Sequence, residues 1–131
     1  MTWWSRVIGE VQPVPEEWLG AQIAVLPTRA ATVTERRVAA SVRRASDLLP
    51  WDPTCLAQAT AGQVMLRQRR QPGVVVIGLR RPERPGRWDA HAWLLGRVGA
   101  LTGGPAARGF TATTVFVPPG VPEVAARVPI G

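Results

Sequence analysis

The residue pattern changes character at Gln71-Pro72-Gly73, and that change fixes the class of fold open to this chain. Before it, apolar residues recur at helical spacing. Over 32–49, Val38, Val42, Ala45 and Leu49 follow one another at intervals of three and four, with Thr34 as a capping residue, which predicts an amphipathic helix. Arg36, Arg37, Arg43 and Arg44 fall on its opposite side as a solvated polar face. Pro50-Trp51 interrupts the pattern and Asp52-Pro53 restarts it, since Asp is a favoured N-cap and Pro suits the first helical position. A second helix is predicted over 53–69. Its Leu56, Ala57, Ala59, Ala61, Val64, Met65 and Leu66 are too many for one face and predict a central helix, buried around much of its circumference.

After Gly73 the period shortens. Val74-Val75-Val76-Ile77 leads into Gly78-Leu79-Arg80, a β-branched run expected of a strand covered on both faces. Residues 89–95 place Asp89, His91, Trp93 and Leu95 on one face of a strand and Ala90, Ala92 and Leu94 on the other. Gly96-Arg97 suits a turn into a short strand at 98–101, and 110–117 alternates as a further strand. Helices followed by antiparallel strands make an α+β fold, with a Cys-bearing helix packed on a His-bearing sheet. The segment 80–88, with Arg80, Arg81, Arg84 and Arg87 around Pro82 and Pro85, reads as a polar loop. The first 31 residues hold Trp3, Trp4 and Trp18 among Pro13, Pro15 and Pro27, so short pieces are expected there, with one helix near 16–25 and the tryptophans as packing anchors. Residues 118–131 carry four Pro and read as a wrapping arm. The expected organisation is one domain over 1–131: a helical part at 1–49, a core at 50–117 and the arm.

With 131 residues, 46% of them apolar, the chain can bury a core without a disulfide framework. Its one Cys and one His fall short of a four-ligand zinc site, and no metal or cofactor is expected. No apolar run approaches the ~18 residues of a membrane span, and the start lacks a signal-peptide pattern, so a cytoplasmic protein is expected. A lone thiol fits that reducing compartment. Every basic residue is Arg, and the formal charge is +7, which favours acidic partners in a salt-dependent way. Nucleic-acid binding is the other use of such charge, but no recognition motif accompanies it.

The chemistry-bearing residues are Cys55 and His91. Near the third position of the second helix, Cys55 would sit among unsatisfied backbone N–H groups that favour a thiolate. His91, mid-strand, is the base that would take the thiol proton and return it to a leaving amine, if the sheet packed on the helix brings its ring to the sulfur. Each residue alone reads more readily as ordinary core.

Taken together, Asp52-Pro53-Thr54-Cys55-Leu56-Ala57-Gln58-Ala59, Gly73-Val74-Val75-Val76-Ile77-Gly78-Leu79 and Ala90-His91-Ala92-Trp93-Leu94 resemble the transglutaminase-like cysteine peptidases of lasso-peptide biosynthesis. These leader peptidases are homologous to the C-terminal part of the microcin-processing B protein. The resemblance covers about residues 50–105. It implies a papain-like α+β core and Cys55 and His91 as the catalytic pair. It also implies removal of a precursor's leader peptide through a thioester. The implied partners are the leader peptide, a small winged-helix leader-recognition protein and, beyond them, the lasso cyclase. A non-catalytic or acyl-transferring peptide-binding maturation protein is the alternative on the same fold. The family's third member, an Asp on the strand after the His, would fall near Thr102-Gly103-Gly104, where this chain has no carboxylate. Substitutes to orient the imidazole are the Thr102 hydroxyl, a backbone carbonyl, or Asp89, two residues from His91 on its own strand. Trp51 would line the site or simply pack, and Trp93 would shield the imidazole or fill the core.

Overall fold

Val74, Val75 and Val76 are each fully buried, because the strand that carries them has a packed layer on both sides. The computed structural model describes residues 3–14, 31–97, 99–107 and 109–119. The elements run α1 (Trp3–Val7), β1 (Glu10–Pro13), α2 (Val33–Leu48), α3 (Cys55–Gln68), β2 (Val74–Arg80), β3 (Asp89–Leu95), β4 (Ala100–Thr102), α4 (Gly104–Ala107) and β5 (Thr111–Val117). The five strands form one antiparallel sheet in the order β1-β5-β2-β3-β4, so β2 is its centre. Helices packed on this sheet give the α+β architecture expected from the residue pattern.

Alternation along the strands divides the core in two. Val75, Ala92 and Leu94 face α2 and α3 and pack with Val38, Ala59, Leu66 and Leu101. Val74, Val76, Trp93 and Leu95 face the other way and pack with Val115, Val117, Ala112 and Ala107. Each Val or Leu side chain among them contributes about 1.5–3 kcal/mol when fully buried. Gly78 of β2 leaves room for the Trp93 ring: a Cβ there would lie 2.8 Å from it.

Several sequence expectations are corrected. The cap of α2 is Thr32, not Thr34. Its hydroxyl accepts from Glu35 N while the Glu35 carboxylate accepts from Thr32 N, a reciprocal box that Thr34 cannot form with an acid at the required spacing. The buried stripe of α2 is Glu35, Val38 and Val42, whereas Ala45 and Leu49 are exposed, because the inward face begins with the buried carboxylate. Helix α3 buries one face (Ala59, Gly62, Gln63 and Leu66) and leaves Leu56, Ala57 and Ala61 outside, so it is not enclosed on most sides: it lies on the sheet beside α2. The short strand expected at 98–101 is Ala100–Thr102, since Gly96 N bonds Gly99 O and the turn takes up those residues. The helix expected at 16–25, with Trp18, and residues 120–131 of the arm lie outside the described residues. Among the described residues no helix is long and apolar enough to cross a membrane.

Gln63 ties the layers together. Its buried amide donates to Ile8 O at 3.0 Å and to Gly73 O at 2.9 Å, fixing the end of α1 and the entry to β2 on one side chain.

Candidate active site

The head of α3 is set by Thr54. Its hydroxyl accepts from Ala57 N at 3.1 Å and its carbonyl from Gln58 N at 3.0 Å, so helical geometry starts at the next residue. Cys55 is therefore the first residue of the helix and not about the third. Asp52-Pro53 was expected to open it but stays outside, because the Thr54 hydroxyl occupies the capping position and Gln58 reaches back to Pro53 O. The cap bonds use Ala57 N and Gln58 N, which leaves the N–H groups of Cys55 and Leu56 without a partner among the described residues.

The sulfur is half-buried against the cluster that contains Ala92 and Leu94. It accepts a hydrogen bond from Ala92 N at 3.4 Å. That N–H is available because β4 is only three residues long. Its Thr102 pairs with Leu94, and the edge of β3 beyond this point has no strand partner.

His91 meets the same edge from the other side. Its Nε2 lies 2.8 Å from the carbonyl oxygen of Gly103, the residue that follows β4. A carbonyl only accepts, so Nε2 carries the proton, and in the neutral ring Nδ1 is the remaining acceptor. The ring stacks on Trp93, with centroids 5.9 Å apart and planes at 25°, and lies 5.2 Å from the Phe110 centroid. Gly103 has φ +69°, and a Cβ there would stand 2.7 Å from Ala92 O and 3.0 Å from His91 Nε2. Only glycine lets this carbonyl come so close.

The structure thus brings Cys55 and the His91–Ala92 peptide unit together without joining thiol to imidazole. Each holds a backbone partner, and no hydrogen bond links them. The expectation that the sheet would present the imidazole directly to the helix is corrected: Ala92 faces α3, and strand alternation turns His91 with Trp93 to the opposite face.

Of the three substitutes for an orienting acid, the backbone carbonyl is the one bonded to His91. The Thr102 hydroxyl is buried without a hydrogen-bond partner among the described residues, and its methyl lies toward Gly62 of α3. Asp89 pairs with the Arg80 guanidinium at 2.9 Å on the surface. Trp51 is 62% exposed in the α2–α3 connection, whereas Trp93 is fully buried against the imidazole. Sequence reasoning misses Phe110 and Arg80. The Arg80 guanidinium lies 4.5 Å over the Phe110 ring, which itself packs beside His91. Nothing in the spacing of 110–117 marks Phe110 as a neighbour of His91; the fold around β5 does.

Among the described residues no group of three or more His, Cys, Asp or Glu could hold a metal ion. What the arrangement offers is a sulfur nucleophile, two helix-head N–H donors and an imidazole whose acceptor nitrogen is defined. No curated protein and no solved structure gives a significant match to the chain. The sequence profile of the transglutaminase-like superfamily matches residues 17–115.

Proposed function

The chain belongs to the transglutaminase-like superfamily, and on that premise we propose that it is a cysteine peptidase that removes the leader peptide from a ribosomally made lasso-peptide precursor. One observation carries the reading: the only thiol of the chain sits at a helix head, on the same strand edge as an imidazole whose Nε2–H is held by Gly103 O. Cys55-Leu56 and Ala90-His91-Ala92-Trp93, the motifs that resemble the leader peptidases, supply the two reacting groups.

In the reaction, the His91 ring turns from the Trp93 face round the open edge of β3, and the Ala92–sulfur hydrogen bond is exchanged for one between sulfur and His91 Nδ1, which takes the thiol proton. Apo catalytic sites often have such hydrogen bonds open. The Cys55 thiolate attacks the scissile carbonyl, and the N–H groups of Cys55 and Leu56 hold the developing oxyanion. Collapse of that intermediate breaks the C–N bond. His91 gives its proton to the departing amine, which becomes the new N-terminus of the core peptide. Water, deprotonated by His91, then hydrolyses the thioester and restores the thiol. In the resting site the Gly103 carbonyl holds Nε2–H, the part a carboxylate plays in the family pattern. It stabilises the imidazolium less than a full negative charge would.

The reaction is tested by incubating the protein with a purified precursor and the winged-helix leader-recognition protein, and weighing the products. Expected are two peptides cut at the leader–core junction. An intact precursor in a mixture where the three bind one another overturns the peptidase reading. Gly103→Ala is expected to lower kcat on the order of 10²-fold with KM little changed, because the added methyl displaces either the carbonyl or the ring. Undiminished turnover by that variant overturns the carbonyl's role.

The missing thiol–imidazole hydrogen bond favours a second reading, a peptide-binding maturation protein that does no chemistry. It predicts that Cys55 resists iodoacetamide at neutral pH while the precursor still binds. Rapid alkylation of Cys55, slowed in His91→Ala, supports the first reading.

A further inference from the structure

Helices α2 and α3 leave a cleft between them, away from Cys55, with a volume of about 330 Å³. Arg37, Ser41 and Arg44 of α2 and Arg69, the residue capping the C-terminal end of α3, line it above Val38 and Met65. Arg37, Ser41 and Arg44 are spaced four and three apart and so share one helix face. Arg69 has a local explanation: its guanidinium donates to Met65 O at 3.0 Å and offsets the negative end of the α3 dipole. Arg37 and Arg44 have none. Among the described residues no carboxylate lines the cleft, and the one ion pair is Arg80–Asp89, elsewhere. Guanidinium groups gathered in one concavity repel each other, and an anion seated between them relieves that repulsion.

The spacing selects the kind of anion. Seven residues of helix carry Arg37 and Arg44 about 10 Å apart along the axis. That spacing is close to the ~9 Å that three residues of an extended polyproline II segment rise, after which side chains point the same way again. Between the two arginines the floor is apolar, with Val38 buried and Met65 half-buried. We infer that the α2–α3 cleft is an exosite for an extended acidic peptide segment, with two carboxylate side chains about three residues apart and an apolar residue between them. This rests on the reading of the protein as one that acts on peptides. Met65 is ten residues, or about 15 Å, along α3 from Cys55. The acidic pair therefore lies about five or more residues of extended chain from the bond that is cut.

The test uses the full chain carrying Cys55→Ala, so that binding is read without cleavage. The probe is a fluorescein-labelled decapeptide with two Glu three residues apart around a Leu, compared by anisotropy with its twin carrying Gln at both positions. Binding of the Glu peptide about ten-fold tighter than the Gln twin is expected, through charge-assisted bidentate bonds. The Arg37→Gln/Arg44→Gln double variant is expected to erase the difference, and Arg84→Gln/Arg87→Gln to preserve it. Equal binding of the two peptides overturns the proposal. So does a preference that survives loss of Arg37 and Arg44, or one that millimolar inorganic phosphate abolishes at constant ionic strength, which would assign the cleft to a small anion. Precursor cleavage by the wild type that is indifferent to acidic residues removes the exosite and leaves the peptidase reading standing. Charge-selective binding without any cleavage does the reverse.

Discussion

Replacing Cys55 with alanine is expected to abolish peptide-bond cleavage, lowering kcat/KM by at least about 10³-fold. The thioester cannot form without the sulfur, and no second cysteine exists to replace it. The fold should be little affected. Cys55 is only half-buried, its cap bonds belong to Thr54, and the long hydrogen bond from Ala92 N is the one interaction that its sulfur supplies to the backbone. A thermal unfolding midpoint close to that of the wild type, with cleavage at background by mass spectrometry, is the expected pair of results. Undiminished cleavage by the alanine variant would remove Cys55 from the mechanism. Adding His91→Ala to Cys55→Ala should change the rate no further, because residues that act as one unit do not contribute additively.

Glu35→Ala is expected to produce the largest loss of stability. The side chain is fully buried, and each carboxylate oxygen accepts from a different backbone N–H: Thr32 N at 2.9 Å and Arg97 N at 2.7 Å. Alanine removes half of the capping box, strips the turn after β3 of its acceptor and leaves a void. A lost cap costs about 1 kcal/mol, and a buried N–H left unsatisfied about 1–3 kcal/mol. A total of about 3 kcal/mol corresponds to a midpoint lower by roughly 10 °C or more for a domain of this size. Circular dichroism melting of the variant measures it, and a shift below about 2 °C would contradict the assignment. The turn held by Glu35 feeds β4 and then Gly103, so the same variant should also loosen the acceptor of His91.

Much of the site is legible in the residues alone. The switch at Pro72-Gly73 separates α2 and α3 from β2 to β5, and β2 and β3 occupy the positions their residues predict, but the part expected to be helical at 1–49 also carries β1, which pairs with β5. The alternation of Asp89, His91, Trp93 and Leu95 against Ala90, Ala92 and Leu94 is realised in the two halves of the core. The caps are less legible. Thr32 and Thr34, or Asp52 and Thr54, are all competent cap residues, and the choice depends on partners: Glu35 three residues after Thr32, Ala57 N three after Thr54. Phe110 is hidden for a related reason, because its approach to His91 spans two strands and the chain between them.

By itself the sequence determined the type of each central element, the opposition of His91 and Ala92 across a strand, and the presence of one thiol near a helix head. These follow from local steric rules that act over a few residues. Only the tertiary structure decided which face of β3 receives α3, and that a glycine carbonyl stands where an acid was missing. A period of two says that neighbours point apart without saying toward what, and every residue has a carbonyl, so neither fact leaves a mark in residue type until the chain is folded.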